Sequence, residues 1–230
     1  MKYILLIPIY NDRESLKILI NNINNELKDL NHEISIVVIN DASSTQIIDT
    51  YPNTENISSL EIINMKENRG HARCIASGLK YIFEKKEFDF VIPMDGDGED
   101  RPEEIKNFIK LSENSDDKSI IGERVKRSEG IIFQLCYQFH KFLTLAFTGH
   151  SIKFGNFTCL SKSTVKKMLD EKATWNSFSG SLKKIEKDLN KMPSIRGTRY
   201  SGPSQMSFFN LLKHSLSIIS VFRNTVLIRS

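Results

Sequence analysis

The stretch FDFVIPMDGDGEDRPEEI (88–105) decides the fold. Residues 88–94 form a nearly unbroken apolar run, as expected of a strand covered on both faces. The run delivers the chain straight into Asp95-Gly96-Asp97-Gly98-Glu99-Asp100. Pro102 then occupies a first helical position, with Glu103 and Glu104 in the turn where a helix dipole favours carboxylates. Asp95 and Asp97, with glycine on either side of Asp97, put oxygen ligands on a tight turn. Such a turn suits Mg²⁺ or Mn²⁺, which take a few carboxylates and complete their shells with water or phosphate. A solvated acidic turn has the same composition. The position of this one, at the end of a buried strand, favours the ligand reading.

Outward from that stretch, strand and helix signals alternate. An apolar run over 3–9 is followed by Leu16, Leu19, Ile20, Ile23, Leu27 and Leu30 at helical spacing. A second run, Ile34 to Ile39, ends at Asn40-Asp41, and a third covers Leu60 to Met65. Ala72, Ile75, Ala76, Leu79 and Phe83 mark the next helix face. This order predicts an α/β fold, an open and mostly parallel sheet with helices on both faces. Ligands of such sheets bind beyond the carboxyl ends of the strands. Tyr10-Asn11-Asp12, Asp41, Asp95 and Asp97 all fall at those ends.

The second half differs in texture. Residues 131–148 and 206–224 are amphipathic with wide apolar faces; Phe208, Phe209, Leu212, Leu216 and Ile219 line the latter. Either these helices pack on the sheet or they lie in a membrane interface. No stretch reaches the roughly 18–20 apolar residues of a membrane span. The 230 residues carry a formal charge of +4, which gives no reason to propose a nucleic acid partner. Cys74, Cys136 and Cys159 are odd in number and lack ligand spacing, pointing to reduced thiols. The five histidines form no pair at zinc-ligand spacing; His71 reads as a capping or packing residue near a phosphate-proximal loop. Asp170 and Glu171 read as a solvated helix end, and Trp175 as a packing residue.

Four segments, in order, resemble the family 2 glycosyltransferases of the GT-A (Rossmann-like) fold: IPIYND (7–12), VVINDAS (37–43), NRGHARCIASGL (68–79) and MDGDGEDRPEEI (94–105). Within that family the likeness is to polyprenyl-phosphate sugar transferases of the dolichol-phosphate mannose synthase type. Gly122-Glu123-Arg124 is similar to their G-x-R, and Gly155-Asn156-Phe157 to a G-D-F in which the acid has become Asn and the following Arg Thr158. The segment 196–206 is similar to R-x-x-R-x-x-G-x-S-K-x, with Gln205 in place of Lys.

The resemblance implies a GT-A catalytic domain over 1–200 and an amphipathic helical arm over 201–230, with an interface helix at 131–148. It implies a UDP- or GDP-sugar donor held by Pro8, Tyr10, Asn11, Asp41, Asn68, Gly70, Asp95 and Gly96. It implies Mg²⁺ or Mn²⁺ on Asp95, Asp97 and Glu99, with Asp97, Arg124 and Arg199 catalytic. Arg124, Arg196, Arg199, Ser204 and Gln205 would hold phosphates of donor and a polyprenyl-phosphate acceptor, by direct displacement with inversion. Relatives act at the cytoplasmic face of a membrane. Here that means peripheral attachment, or spans on a partner or in a continuation beyond Ser230. A sugar hydroxyl acceptor, which needs a general base, remains an alternative, as does a non-catalytic nucleotide-sugar binder. A nucleotidyltransferase would carry a glycine-rich loop after the first strand, and IPIYNDRES (7–15) has no glycine.

Overall fold

Strand β1 (Lys2–Ile9) is buried from Tyr3 onward because it lies inside a seven-stranded sheet of order β3-β2-β1-β4-β6-β5-β7. The computed structural model describes residues 1–44, 51, 54–115, 117–126, 152–202 and 216–222. The expected interface helix at 131–148, Cys136, Ser204, Gln205, Phe208 and Phe209 lie outside them. In chain order the elements are β1, α1 (Arg13–Leu27), β2 (Glu33–Asn40), β3 (Ser59–Asn64), α2 (His71–Lys85) and β4 (Phe90–Pro93). A 3₁₀ turn (Pro102–Glu104), α3 (Ile105–Ser112), β5 (Ile120–Lys126), β6 (Phe154–Ser161) and α4 (Lys162–Asp170) follow. A second 3₁₀ turn (Lys172–Trp175), α5 (Phe178–Ile185) and β7 (Asn190–Ile195) complete the order, with a further helical stretch at 216–221.

Strands β1 to β4 are parallel, as the alternating pattern predicts, and β7 is parallel to β5. Strand β6 pairs antiparallel with both β4 and β5, so β5 again runs in the direction of β4. The carboxyl ends of β1, β2, β4, β5 and β7 therefore share one edge with the beginning of β6. Tyr10, Asn11, Asp41, Asp95 and Asp97 fall at that edge.

The two-residue repeat of a strand sends alternate side chains to opposite faces. Tyr3, Leu5, Ile7 and Ile9 pack with Leu16, Leu19 and Ile20 of α1 and Phe108 of α3. Ile4 and Leu6 pack on the other face with Ile75 and Leu79 of α2, Val165 of α4 and Leu182 of α5. Both faces being covered explains why the strands read as continuous apolar runs. Cys74 and Cys159 are buried free thiols.

Trp175 differs from the sequence-based expectation, and Glu104 and residues 216–222 add contacts to it. Glu104 is only 7 % exposed and accepts hydrogen bonds from Ser194 Oγ (2.6 Å) and the Ile195 amide (2.9 Å), so it anchors β7 besides favouring a helix start. Trp175 is 36 % exposed rather than packed away. In 216–222, Ile218, Val221 and Phe222 are buried while Leu216 is 58 % exposed. That part of the arm packs on the protein, against Gly180 of α5 through Val221. Among the described residues no helix is long and apolar enough to cross a membrane.

Helix α2 lies close to the sheet because Gly78 has no side chain; a Cβ there would meet Leu6 Cδ1 at 2.3 Å and Ile39 Cγ1 at 2.9 Å. Gly78→Val should therefore lower unfolding free energy by about 1–3 kcal/mol, the usual range for overpacking a core, measured by urea denaturation. An unchanged midpoint would show that α2 does not bear on the sheet at this point.

Candidate active site at the carboxyl edge of the sheet

The turn after β4 is built by close approach. A Cβ at Gly96 would meet the Pro8 carbonyl oxygen at 3.2 Å, so the turn leans on the end of β1. Gly98 has φ +89°, and a Cβ there would collide with the Tyr200 ring at 2.5 Å. The glycines flanking Asp97 thus serve packing and backbone shape, and they leave the carboxylates facing the strand-end edge. Asp100, 6 % exposed, accepts the Asp95 amide at 2.8 Å beneath the turn.

The segment after β7 is stitched onto this turn. The Gly197 amide donates to the Glu99 carbonyl (2.8 Å) and the Tyr200 amide to the Asp97 carbonyl (2.9 Å). These backbone contacts place both arginines of the R-x-x-R segment. Arg196 pairs with Glu99. Arg199 bridges two carboxylates, donating from Nη1 to Asp97 (2.7 Å) and from Nη2 to Asp12 (2.5 Å). Asp12 holds the N-cap position of α1 but makes no side-chain cap, because its carboxylate serves Arg199. The Arg124 guanidinium lies over Gly155, where a Cβ would meet Nη2 at 2.8 Å. Asn156 donates to Asp95 Oδ1 (3.3 Å), and the His71 ring approaches the same oxygen at 3.3 Å. Thr158, by contrast, is fully buried and donates to the Asn156 carbonyl, away from the edge.

Five carboxyl groups here face three guanidinium groups and one imidazole, and the crowding sets their ionisation. Burial and the Asp95 charge push the Asp97 carboxyl up to about 6, against the pull of Arg199. Burial and the Asp95 charge push Asp100 up to about 8. Burial would raise Asp95 as well, but His71, Arg196, Arg124 and the Asn156 hydrogen bond outweigh it and hold Asp95 below its ordinary value. Burial opposes the Arg196 charge; the Glu99 pair overcomes this and raises its pKa further. An oxygen-rich, like-charged turn of this kind fits a hard divalent cation, which would relieve the repulsion. Among the described residues no group of three or more His, Cys, Asp or Glu side chains is arranged to hold a metal ion. Glu99, the expected third oxygen ligand, is engaged by Arg196.

The other side of the edge is held by hydrogen bonds of Asp41 and Asn11. Asp41 is 4 % exposed and accepts the amides of Arg69 and Gly70, both at 2.8 Å. It caps α2 from another strand, a favourable place for a carboxylate. Asn11 (φ +50°) and Ala42 (φ +56°) occupy the left-handed region at the ends of β1 and β2. Their turns are tied together by Asn11 Oδ1, which accepts the Ser44 amide at 2.8 Å. Tyr10 is 52 % exposed beside them, Asn68 is exposed, and Pro8 is buried. The structure thus brings Tyr10, Asn11, Asp95, Gly96, Asp97, Glu99, Arg124, Arg196 and Arg199 to one edge, with Gly70 at its side.

Sequence reasoning missed Asp12, His71, Asp100 and Tyr200 as partners in this network. Asp12 carried a usable signal as the last residue before α1, and His71 as the first residue of α2. Glu171, set aside as a solvated helix end, caps the turn that holds Trp175 by accepting the Ala173 amide (3.0 Å) and pairs with Lys184 (2.7 Å). A cavity of about 370 Å³ between Asp117, Lys118, Lys167 and Asp188 opens at the opposite edge of the sheet.

Comparison with known proteins gives this edge a context. The glycosyl transferase family 2 model matches residues 4–177. The chain is 25 % identical, over 92 % of its length and 64 % of the relative's, to undecaprenyl-phosphate 4-deoxy-4-formamido-L-arabinose transferase of Proteus mirabilis. It is 32 % identical, over 55 % of its length and 34 % of the relative's, to dolichol-phosphate mannosyltransferase of Pyrococcus furiosus. The chain thus spans less than two thirds of the length of these curated relatives. Glucosyl-3-phosphoglycerate synthase of Mycobacterium tuberculosis, solved with Mn²⁺, UDP-glucose and phosphoglyceric acid, superposes with a TM-score of 0.67 at 13 % identity, covering 98 % of this chain and 79 % of that one. S. aureus TarS 1-349 with UDP-GlcNAc gives 0.59 at 14 % identity, covering 98 % and 72 %. The fold is that of GT-A glycosyltransferases. With a family match that takes in the sheet from β1 through β6 and the whole carboxylate turn, the chain belongs to glycosyl transferase family 2.

Proposed function

We propose that the chain is an inverting, metal-dependent glycosyltransferase that moves a sugar from a UDP- or GDP-sugar to a polyprenyl phosphate, working peripherally at the cytoplasmic face of a membrane in cell-envelope glycan synthesis. The observation that carries this reading is the interleaving of Asp95, Asp97 and Glu99 with Arg124, Arg196 and Arg199 at one strand edge. A transfer between two phosphates needs cations for the leaving diphosphate and for the incoming lipid phosphate. Guanidinium groups bind phosphate bidentately. The names of the curated relatives support a polyprenyl-phosphate acceptor.

In this reading Asp95 and Asp97 would hold Mg²⁺ or Mn²⁺, whose charge would offset that of the diphosphate leaving group. Pro8, Tyr10, Asn11, Asp41, Asn68, Gly70 and Gly96 shape the donor side. Arg196 and Arg199 exchange their carboxylate partners for phosphate oxygens once donor is present, and Arg124 contributes a third charge. A phosphate oxygen of the acceptor attacks the anomeric carbon from the face opposite the leaving group, inverting its configuration. That nucleophile is already anionic, so no general base is required. This agrees with Glu171, whose carboxyl is held below its ordinary value by Lys184 and by the Ala173 amide. Ser204 and Gln205 complete the acceptor side by resemblance and lie outside the described residues.

Label from UDP- or GDP-sugars should pass to undecaprenyl or dolichyl phosphate in detergent, and EDTA should abolish it. Asp97→Asn should lower kcat by about 10²–10³-fold, the scale for removing one preorganised charge contact, with the far-UV spectrum unchanged. Label appearing only in a saccharide would overturn the acceptor. Turnover at the wild-type rate in Asp97→Asn would overturn the metal site.

Arg199→Lys keeps a charge but cannot bridge two carboxylates or grip a phosphate with a planar fork. It should recover less than about a tenth of wild-type kcat, read in the same assay. Recovery to the full rate would show that a point charge suffices.

The raised Asp100 carboxyl has a sign that can be checked. Its folded pKa of about 8 lies above its unfolded value of 3.8, so the folded state binds the extra proton between those limits. Stability should therefore fall as pH rises from about 4 to 8 and then level off. In EDTA, the Tm of Asp100→Asn should vary less across this window than wild type. Equal slopes would mean that Asp100 ionises normally.

A further inference from the structure

Arg199 and Tyr200 are adjacent, and between them they hold Asp97 by its backbone and its side chain. The Tyr200 amide donates to the Asp97 carbonyl at 2.9 Å, and Arg199 Nη1 donates to Asp97 Oδ2 at 2.7 Å. From there the two side chains reach α1 at separate points. Arg199 Nη2 donates to Asp12 at the start of the helix (2.5 Å). Further along, Asn22 Nδ2 donates to the Tyr200 hydroxyl oxygen at 3.0 Å. At the rise of an α-helix the two anchors lie about 15 Å apart along its axis. The ring between them packs on the core beside α1 and fills the space over Gly98.

The bond between Asn22 and Tyr200 joins two half-buried, uncharged groups from elements 178 positions apart. It contributes nothing to the charge balance of the turn. Its effect is geometric. Gly98, at φ +89°, has no side chain to brace the turn, and the Tyr200 ring stands where one would be. A tilt of that ring moves the Tyr200 amide and, through the shared backbone, the Arg199 fork, so both contacts to Asp97 shift together. One neutral hydrogen bond contributes little to net stability. A misplacement of about 1 Å at a reacting centre costs far more in rate, on the order of 10²-fold.

We propose that Tyr200, held by Asn22, is a positioning residue for sugar transfer, setting where Asp97 and Arg199 present their charges to the donor diphosphate. This role rests on the transfer reading given above. It extends the site to α1 through two residues that carry no charge.

The variants separate the contacts. Tyr200→Phe keeps the ring over Gly98 and removes the hydroxyl; Asn22→Ala removes its partner; Tyr200→Leu removes ring and hydroxyl together. Gly78→Val, in the packing of α2 on the sheet, controls for loss of stability alone. Transfer from a UDP- or GDP-sugar is measured well below each Tm, on lipid phosphate or saccharide, whichever takes the label. Tyr200→Phe and Asn22→Ala should each lower kcat about 3–10-fold, the worth of one hydrogen bond, with donor KM unchanged. The double variant should lose no more than either alone. Tyr200→Leu should lose about 10²-fold, and Gly78→Val should keep the wild-type kcat. A second readout needs no substrate. Arg199 Nε–H donates to the Ser201 carbonyl at 3.3 Å. In nucleotide-free protein with EDTA, its exchange with water should quicken in Tyr200→Phe and stay unchanged in Gly78→Val. Wild-type kcat in both Tyr200 variants, or a rise in donor KM alone, overturns the role of Tyr200 while transfer stands. A kcat loss in Gly78→Val equal to that in Tyr200→Phe, or unchanged Arg199 exchange, does the same. Losses that add in the double variant overturn the pairing with Asn22. A wild type that labels neither acceptor overturns both readings.

Discussion

Crowding of carboxyl groups at the end of β4 is the constraint on which the rest of the edge depends. Asp95, Asp97, Glu99 and Asp100 occupy one half-buried turn, and burial together with mutual repulsion raises Asp97 and Asp100 toward protonation. Such a turn needs positive charge close by, supplied from distant parts of the chain. Arg199 arrives after β7 and reaches both Asp97 and Asp12; Arg196 meets Glu99; Arg124 approaches from β5. Strand β7 in turn is anchored by the buried Glu104, which binds Ser194 and Ile195 just ahead of the arginines. The last strand is thus part of the site's foundation as well as part of the sheet.

Several residues at this edge make contacts that serve the edge in place of the commoner local arrangement. Asp12 leaves the cap of α1 unmade and holds Arg199 instead, while α2 is capped by Asp41 from β2. Asn11 and Ala42 accept left-handed backbone conformations that side-chain-bearing residues adopt at some cost. These features gather where ligands bind in open α/β sheets, beside the split between β1 and β4. The reversed strand β6 contributes through its beginning, so that Asn156 joins the carboxyl ends of its neighbours.

The parallel half of the fold was legible because β1, β2 and β4 are covered on both faces and read as apolar runs. The carboxylate turn was legible from its place at the end of such a run. Arg196 and Arg199 were found by resemblance, but their partners were not, since the ion pairs span about a hundred positions of sequence. Spacing carries no trace of a contact made by strand pairing. Glu104 was assigned to the helix dipole alone because burial against β7 is invisible locally. His71 reads from sequence as a capping or packing residue, because its partners are an aspartate and an asparagine on other elements. Trp175 was expected inside because aromatic residues usually are, yet the capped turn that carries it leaves it partly in solvent.

We propose that Arg196 and Arg199 balance carboxylates until the phosphates of a metal-bound nucleotide replace those carboxylates as their partners. The most direct test follows the arginine Nε–Hε signals by NMR while Mg²⁺ and UDP or GDP are titrated together. Signals assigned through Arg196→Lys and Arg199→Lys should shift on binding, and Asp97→Asn should remove the response. Nucleotide binding that leaves both arginine signals where they were would contradict it.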